Sequence, residues 1–243
     1  MSQPIIVVKD LDFRYRADLP LALRGVDLAV SPGERCLLVG ANGAGKTTLL
    51  RIIGGKHMIS DEAVRVLGRP AFGDTSLAEE VAFLGGPFPF EVDVRVGDVL
   101  ASVRRADAAR MDHLRQILAV DPDWHMHRIS DGQRRRVQLL LGLVHPFHVL
   151  LLDEITTDLD LLGRADLLAF LREEAEQRGT CILYATHILD RLEGWATHLA
   201  LVQRGRLLFK KPMEELDELD EARRQGTYSP LSSVVERWLR QGV

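Results

Sequence analysis

Apolar residues along the chain fall into short runs separated by stretches with helical spacing. Residues 5–9, 26–30, 35–39, 149–152, 181–185 and 199–202 are rich in Val, Ile and Leu, and predict strands. Several of these runs are apolar at nearly every position, which predicts a sheet covered on both faces. Helical spacing over 161–177, between two such runs, predicts a mainly parallel α/β core, with an antiparallel contribution from the N-terminal runs. Residues 86–146 read differently. Helical patterns at 96–104, 108–119 and 134–144 follow one another with no strand between them, as expected for a helical lobe inserted into the core. The tail from 211 opens on an acidic stretch, 214–221; Ser229 is then a candidate N-cap with Pro230 at the first helical position. Leu231, Val234, Val235, Trp238 and Leu239 make one apolar stripe there, which predicts a helix packed back on its own domain, a partner-binding helix being the alternative. The expected organisation is a single domain over 1–243. Its core and antiparallel β-subdomain occupy 1–85 and 147–210, a helical subdomain 86–146 and a helical tail 211–243. No internal repeat, low-complexity tract or long linker interrupts it.

Composition narrows the function. With 31 Lys and Arg against 35 Asp and Glu, the formal charge is 31 − 35 = −4, too little for a broad electrostatic grip on nucleic acid or anionic lipid. No apolar run reaches the roughly 18–20 residues of a membrane span. The first residues lack the basic flank, long apolar region and cleavage site of a signal peptide, so a cytoplasmic location is expected. Cys36 and Cys181 each lie inside an apolar run, which predicts buried core thiols and no disulfide framework.

The strongest chemical signal is Gly40-Ala41-Asn42-Gly43-Ala44-Gly45-Lys46-Thr47, a G-x-x-x-x-G-K-T that follows a strand and precedes the helical pattern 48–53. Glycines let such a loop turn its N–H groups inward as an anion nest, and the helix N-terminus adds positive potential. Lys46 then reaches the β and γ phosphates and the Thr47 hydroxyl binds Mg²⁺. Further on, the apolar run 149–152 ends in Asp153 and Glu154. A buried strand ending this way brings Asp153 to the metal and leaves Glu154 to polarise the attacking water. Ile129-Ser130-Asp131-Gly132-Gln133 lies between the two, before a helical run that opens on Arg134-Arg135-Arg136, and Tyr184-Ala185-Thr186-His187 closes another strand. The arginines are read as a solvated face or local salt bridges, and His125-x-His127 as a surface loop, because no ligand cluster accompanies it.

In this order and spacing the chain resembles the ATP-binding-cassette ATPase domain over essentially its whole length. The resemblance implies ATP and Mg²⁺ as ligands, and two copies paired head to tail, each completing the other's site. By that analogy Gly40, Asn42, Gly43, Ala44, Gly45, Lys46, Thr47 and Thr48 hold the phosphates, and Tyr15 stacks on adenine. Ser130, Gly132 and Gln133 contact the γ-phosphate of the partner's ATP, and Asp160 connects the two sites. Thr47 and Asp153 hold the metal, Lys46 and Glu154 act in catalysis, and His187 senses the γ-phosphate.

Two departures from the family pattern stand out. The run 81–84 continues Gly85-Gly86-Pro87-Phe88, without the Gln that joins a transporter's ATPase core to its membrane partner, and Asp131 stands where the signature has its first Gly. A carboxylate there repels an incoming γ-phosphate unless it turns away or meets an Arg. These departures, together with the segments 130–138, 153–160 and 184–188 and the pair Gly194-Trp195, make the chain similar to the soluble Caf-type ABC ATPases, named for association with the Ccr/Not regulatory complex. The expectation is an ATP-driven homodimeric ATPase with a regulatory role and a protein partner. A nucleotide-binding subunit working with a separate transmembrane chain is the alternative, and an ATP-binding module that does not cycle is a third reading. Chromosome-maintenance ABC proteins need a coiled-coil insertion and translation-associated ones two cassettes, and 243 residues without heptads or a repeat fit neither.

Overall fold

A computed structural model describes residues 3–86, 88, 93–156 and 159–241. Pro87, Thr157 and Asp158, which belong to motifs read above, lie outside the described residues.

Two sheets carry the fold. The larger has the order β10-β9-β3-β8-β7-β6, made of β3 (Arg35–Val39), β6 (Val81–Gly85), β7 (Val149–Asp153), β8 (Cys181–Ala185), β9 (His198–Gln203) and β10 (Arg206–Pro212). β9, β3, β8, β7 and β6 run parallel, and β10 turns back antiparallel on β9. The smaller sheet is antiparallel, in the order β2-β1-β4-β5, from β1 (Ile6–Phe13), β2 (Leu23–Val30), β4 (Val64–Val66) and β5 (Arg69–Pro70). The expected fold, a mainly parallel core with an antiparallel N-terminal part and helices, is the one present.

Every residue of β3, β7 and β8 is buried, and side-chain alternation divides them between two cores. Leu37, Val39, Leu150, Leu152, Ile182 and Tyr184 face α4 (Asp131–Leu143) and α5 (Leu161–Arg178). Cys36, Leu38, Leu151, Cys181 and Leu183 face α1 (Lys46–Ile53) and the inner side of the small sheet, Ile6, Val8, Val26 and Leu28. Both cysteines are free and buried, and burial pushes the Cys36 thiol up to about 12 and Cys181 well above the ordinary thiol value.

Between β6 and β7 run α2 (Val96–Ala101), α3 (Ala108–Ile117) and α4, with no strand among them. α4 begins at Asp131, three residues before the periodic run, because Ser130 and Gln133 close a capping box ahead of the apolar stripe. The acidic stretch of the tail is a second short helix, α6 (Asp217–Arg224), whose Leu219 and Ala222 are buried. Helix α7 (Pro230–Gln241) packs Leu231, Val234, Val235 and Trp238 onto the core, with Trp238 edge-on to Phe209 of β10 at 5.3 Å. The tail helix therefore folds back on its own chain. β10 was invisible to the apolar pattern because its residues are only half-buried.

One ion pair fastens α3 to α5. The Arg110 guanidinium donates to both Glu174 oxygens, at 2.7 and 3.0 Å, and to Leu143 O at 2.8 Å, between the rings of Phe147 and Phe170. Both side chains are over nine-tenths buried. Glu174→Ala leaves a buried guanidinium without its carboxylate and is expected to lower the unfolding free energy by about 3–5 kcal/mol. Urea unfolding checks this; a loss below about 1 kcal/mol would mean that the pair is not desolvated in solution.

Candidate functional site

The segment 40–47, Asp153, Glu154 and His187 stand at the carboxyl ends of the parallel strands β3, β7 and β8. After β3 the chain turns through 40–45 into α1. A Cβ on Gly40 would lie 2.2 Å from Val202 O, and Gly45 adopts φ 110° with Leu23 2.8 Å from where its Cβ would be, so only glycine fits either position. Gly45 caps α1 without a side-chain acceptor, which leaves the first-turn N–H groups open towards the loop. Asn42 and Gly43 are exposed at the tip and Ala44 is buried. Lys46 folds back into this loop, its ammonium donating to Gly40 O at 2.7 Å and Ala41 O at 3.2 Å. Burial lowers the pKa of Lys46, against the pull of Glu154 and Asp153.

The next two strands supply the carboxylates. Asp153 ends β7 and accepts a hydrogen bond from the Thr47 hydroxyl at 3.0 Å. This pair of hard oxygen donors, one of them ionisable, suits Mg²⁺. Burial raises the Asp153 pKa; the Thr47 hydrogen bond lowers it and Glu154 adds to the rise. At Glu154 the backbone enters the left-handed region (φ 54°), which breaks the strand, while its N–H still donates to Ala185 O at 3.0 Å. The Glu154 carboxylate lies 2.8 Å from His187 Nδ1 and accepts from the His187 backbone N–H at 3.3 Å. Tyr15 lies on the α1 side. Its hydroxyl is 2.9 Å from Thr48 Oγ1 and its ring is edge-on to Phe13 and His57, at 5.2 and 5.3 Å, with nearly half of its surface exposed.

Ser130, Gly132, Gln133 and Asp160 form a second group. Ser130 Oγ accepts from Gln133 N at 3.2 Å, and Gln133 Oε1 from Ser130 N at 2.9 Å. Asp160 caps α5 by accepting from Gly163 N at 2.8 Å and takes a further bond from Arg136 of α4 at 2.5 Å. The Gly163 bond first, then the Arg136 charge, hold its pKa below the ordinary carboxylate range. Among the described residues, no hydrogen bond or ion pair joins this group to the loop 40–45.

Residues 23–157 match the family model described as ABC transporter. The chain belongs to the ATP-binding-cassette (ABC) ATPase family. It is 48% identical over 227 residues to ABC transporter I family member 20 of Arabidopsis thaliana, covering 88% of this chain and 67% of that one. To CCR4-associated factor 16 of Saccharomyces cerevisiae it is 36% identical over 233 residues, covering 86% and 78%. Among solved structures, one described as the ATP binding subunit of an ABC transporter superposes with a TM-score of 0.76 at 24% identity, over 96% of this chain and 98% of that one. A dimeric post-hydrolysis ATP-binding cassette bound to ADP and Pi superposes with a TM-score of 0.73 at 18% identity, over 86% and 98%. These likenesses establish the ABC fold. No helix among the described residues is long and apolar enough to cross a membrane.

In this ABC ATPase both departures from the pattern meet an arginine. Asp131 is the first residue of α4, its side chain almost fully exposed and 3.3 Å from Arg134. At a helix N-terminus a carboxylate is favourably placed against the macrodipole. Where the Gln is missing, Arg135 donates to Gly86 O at 2.9 Å. The run Arg134-Arg135-Arg136 is thus spent on contacts within the chain. Phe13 and His57, which brace Tyr15, escaped sequence reading because nothing in their spacing pairs positions 13, 15 and 57.

The raised Asp153 pKa sets a stability trade. The folded chain keeps this proton at pH values where the unfolded chain has released it, so stability falls as pH rises from the ordinary carboxylate value through the raised one. Neutral, near-isosteric Asp153→Asn is expected to raise the melting temperature of the nucleotide-free protein at pH 7, by a margin that narrows in acid. Scanning fluorimetry against pH checks it, and a lower melting temperature at pH 7 would contradict the assignment.

Proposed function

We propose that this chain is an ATP-driven, head-to-tail homodimeric ABC ATPase that acts in the cytoplasm as a regulatory switch. The observation carrying the proposal is the separation of its two polar groups. Lys46, Thr47, Asp153, Glu154 and His187 make one connected cluster, while Ser130, Gly132, Gln133 and Asp160 make another on the same chain. A second copy brings the second group to the first. Beside Asp160, Leu161 and Leu162 expose 61% and 74% of their surface, and burying such an apolar pair favours a partner at this face.

The geometry supports the following roles. The 40–45 loop and the start of α1 bind the phosphates, with Lys46 exchanging its carbonyl partners for phosphate oxygens, and Tyr15 and Thr48 bound the site on the adenine side. Thr47 and Asp153 would hold Mg²⁺, which when bound neutralises phosphate charge. Glu154 accepts a proton from the attacking water as the new oxygen–phosphorus bond forms, and the bond from the γ-phosphorus to the bridging oxygen breaks to release ADP and phosphate. His187, 2.8 Å from that carboxylate, orients it and meets the γ-phosphate.

The name of CCR4-associated factor 16, to which the chain is 36% identical, supports a protein partner. The alternative, a nucleotide-binding subunit for a separate membrane protein, draws on the 29% identity to an energy-coupling factor transporter ATP-binding protein of Methanoculleus marisnigri. Light scattering on a size column, with Mg-ATP, with Mg-ADP and without nucleotide, tests the proposal. A monomer that becomes a dimer with Mg-ATP, and stays dimeric in Glu154→Gln, is expected; a monomer under every condition, in both proteins, would overturn it. Removing the carboxylate at the start of α4 by Asp131→Gly is expected to raise turnover or tighten ATP-driven dimerisation by about fivefold, roughly the 1 kcal/mol of one like charge in a wet site. Unchanged kinetics and association would show that Arg134 already neutralises it.

A further inference from the structure

Between His187 and β9 the chain makes a tight turn, 188–196, that none of the roles above uses. It is built as a rigid piece. Leu189, Leu192 and Trp195 are buried, and Leu192 N, Trp195 N and Ala196 N donate within the turn to Leu189 O, Leu192 O and Leu192 O. Side chains from α5 clamp both ends of it. Arg164 donates to Ile188 O at 2.8 Å and Arg172 to Gly194 O at 2.6 Å, while the Trp195 indole N–H returns a bond to Leu168 O at 2.8 Å. The Trp195 ring is also edge-on to Tyr184, whose hydroxyl bonds Thr156, two residues past Glu154.

One carboxylate ties this piece to the C-terminal hairpin. Glu193 Oε1 accepts from Arg223 Nε of α6 at 2.7 Å, and Glu193 Oε2 from the backbone N–H of Leu231, in the first turn of α7, at 3.2 Å. The same Arg223 is held by Asp220 at 2.7 Å. Both oxygens of Glu193 are therefore committed to the two helices of the hairpin, and the hairpin touches the turn 188–196 through a side chain six residues from His187. We propose that Glu193 is a positioning residue for His187, and that through it the α6–α7 hairpin sets the rate of hydrolysis. The hairpin is then a control surface. Whatever moves α6 relative to α7 pulls on Glu193, and the turn, being stiff, passes the displacement to His187 and its contact with Glu154.

This inference rests on the role given to His187 above, and the experiment separates the two. Steady-state ATPase kinetics are measured on the full chain carrying His187→Ala, Glu193→Ala, Arg223→Glu or the exchange Glu193→Arg with Arg223→Glu. His ring resonances are followed by NMR in ¹³C-histidine protein, with His187 assigned by its loss in His187→Ala. Glu193→Ala and Arg223→Glu are expected to lower kcat about tenfold with KM for ATP unchanged, and to shift the His187 signal while those of His57 and His113 stay in place. The charge exchange is expected to recover only part of the lost kcat, because it remakes the ion pair to α6 but leaves the Leu231 N–H without its acceptor. If His187→Ala lowers kcat but Glu193→Ala does not, or if Glu193→Ala lowers kcat with no change at His187, the positioning role is overturned alone. If His187→Ala turns over like the wild type, the catalytic reading falls and this inference falls with it.

Discussion

The structure depends on one constraint, the burial of the parallel sheet on both faces. β3, β7 and β8 expose no residue, so within them a polar side chain would lose its hydration with little to replace it. Polar chemistry is therefore confined to the strand ends. The loop 40–45 leaves β3, Asp153 and Glu154 leave β7, and His187 follows β8. Parallel strands put these three ends on one edge, and adjacent strands lie only about 5 Å apart. A continuous cluster follows from that spacing. Thr47 reaches Asp153 from the neighbouring element and His187 reaches Glu154, without any segment having to extend into solvent.

Much of this was legible in the sequence for the same reason. Runs that must be apolar at every position, such as Cys181–Ala185, announce themselves, and β3 and β8 have the bounds that their composition predicts. The loop carries its own geometric necessity, since Gly40 and Gly45 sit where a Cβ would strike neighbouring chain. What escaped notice was of two kinds. β10, with no buried residue, leaves a weak alternating signal, and α6 buries only Leu219 and Ala222 in an otherwise charged run. Contacts between distant polar residues, such as Arg110 with Glu174 or Arg136 with Asp160, depend on how helices cross, and no spacing in a single chain encodes that. The run Arg134-Arg135-Arg136 announces a solvated face or local salt bridges, but the partners of Arg135 and Arg136 depend on α4 lying beside Gly86 and Asp160.

Arginine is the recurrent fastener. Arg110 joins α3 to α5, Arg136 joins α4 to the start of α5, Arg135 joins α4 to the end of β6, and Arg164 and Arg172 hold the turn after His187. Several of these bonds end on backbone carbonyls. A planar fork with five donors can satisfy a carbonyl and a carboxylate together, as Arg110 does, where an ammonium offers a point charge. Elements joined in this way move together, so a displacement of α4 is felt both at Asp160 and at Gly86, next to the strand that carries Asp153's neighbour Gly85.

The capping box at the start of α4 bears on how that helix meets an anion. Ser130 and Gln133 satisfy each other's backbone N–H groups, so the helix enters the encounter with two of its donors already engaged. A phosphate arriving there competes with an internal answer to the same need. It gains only the difference between its own hydrogen bonds and those it displaces, and the helix end stays ordered in its absence. On the proposed head-to-tail reading, such an arrangement would give up affinity and gain readiness, because the contact surface is preassembled before the partner's phosphate arrives.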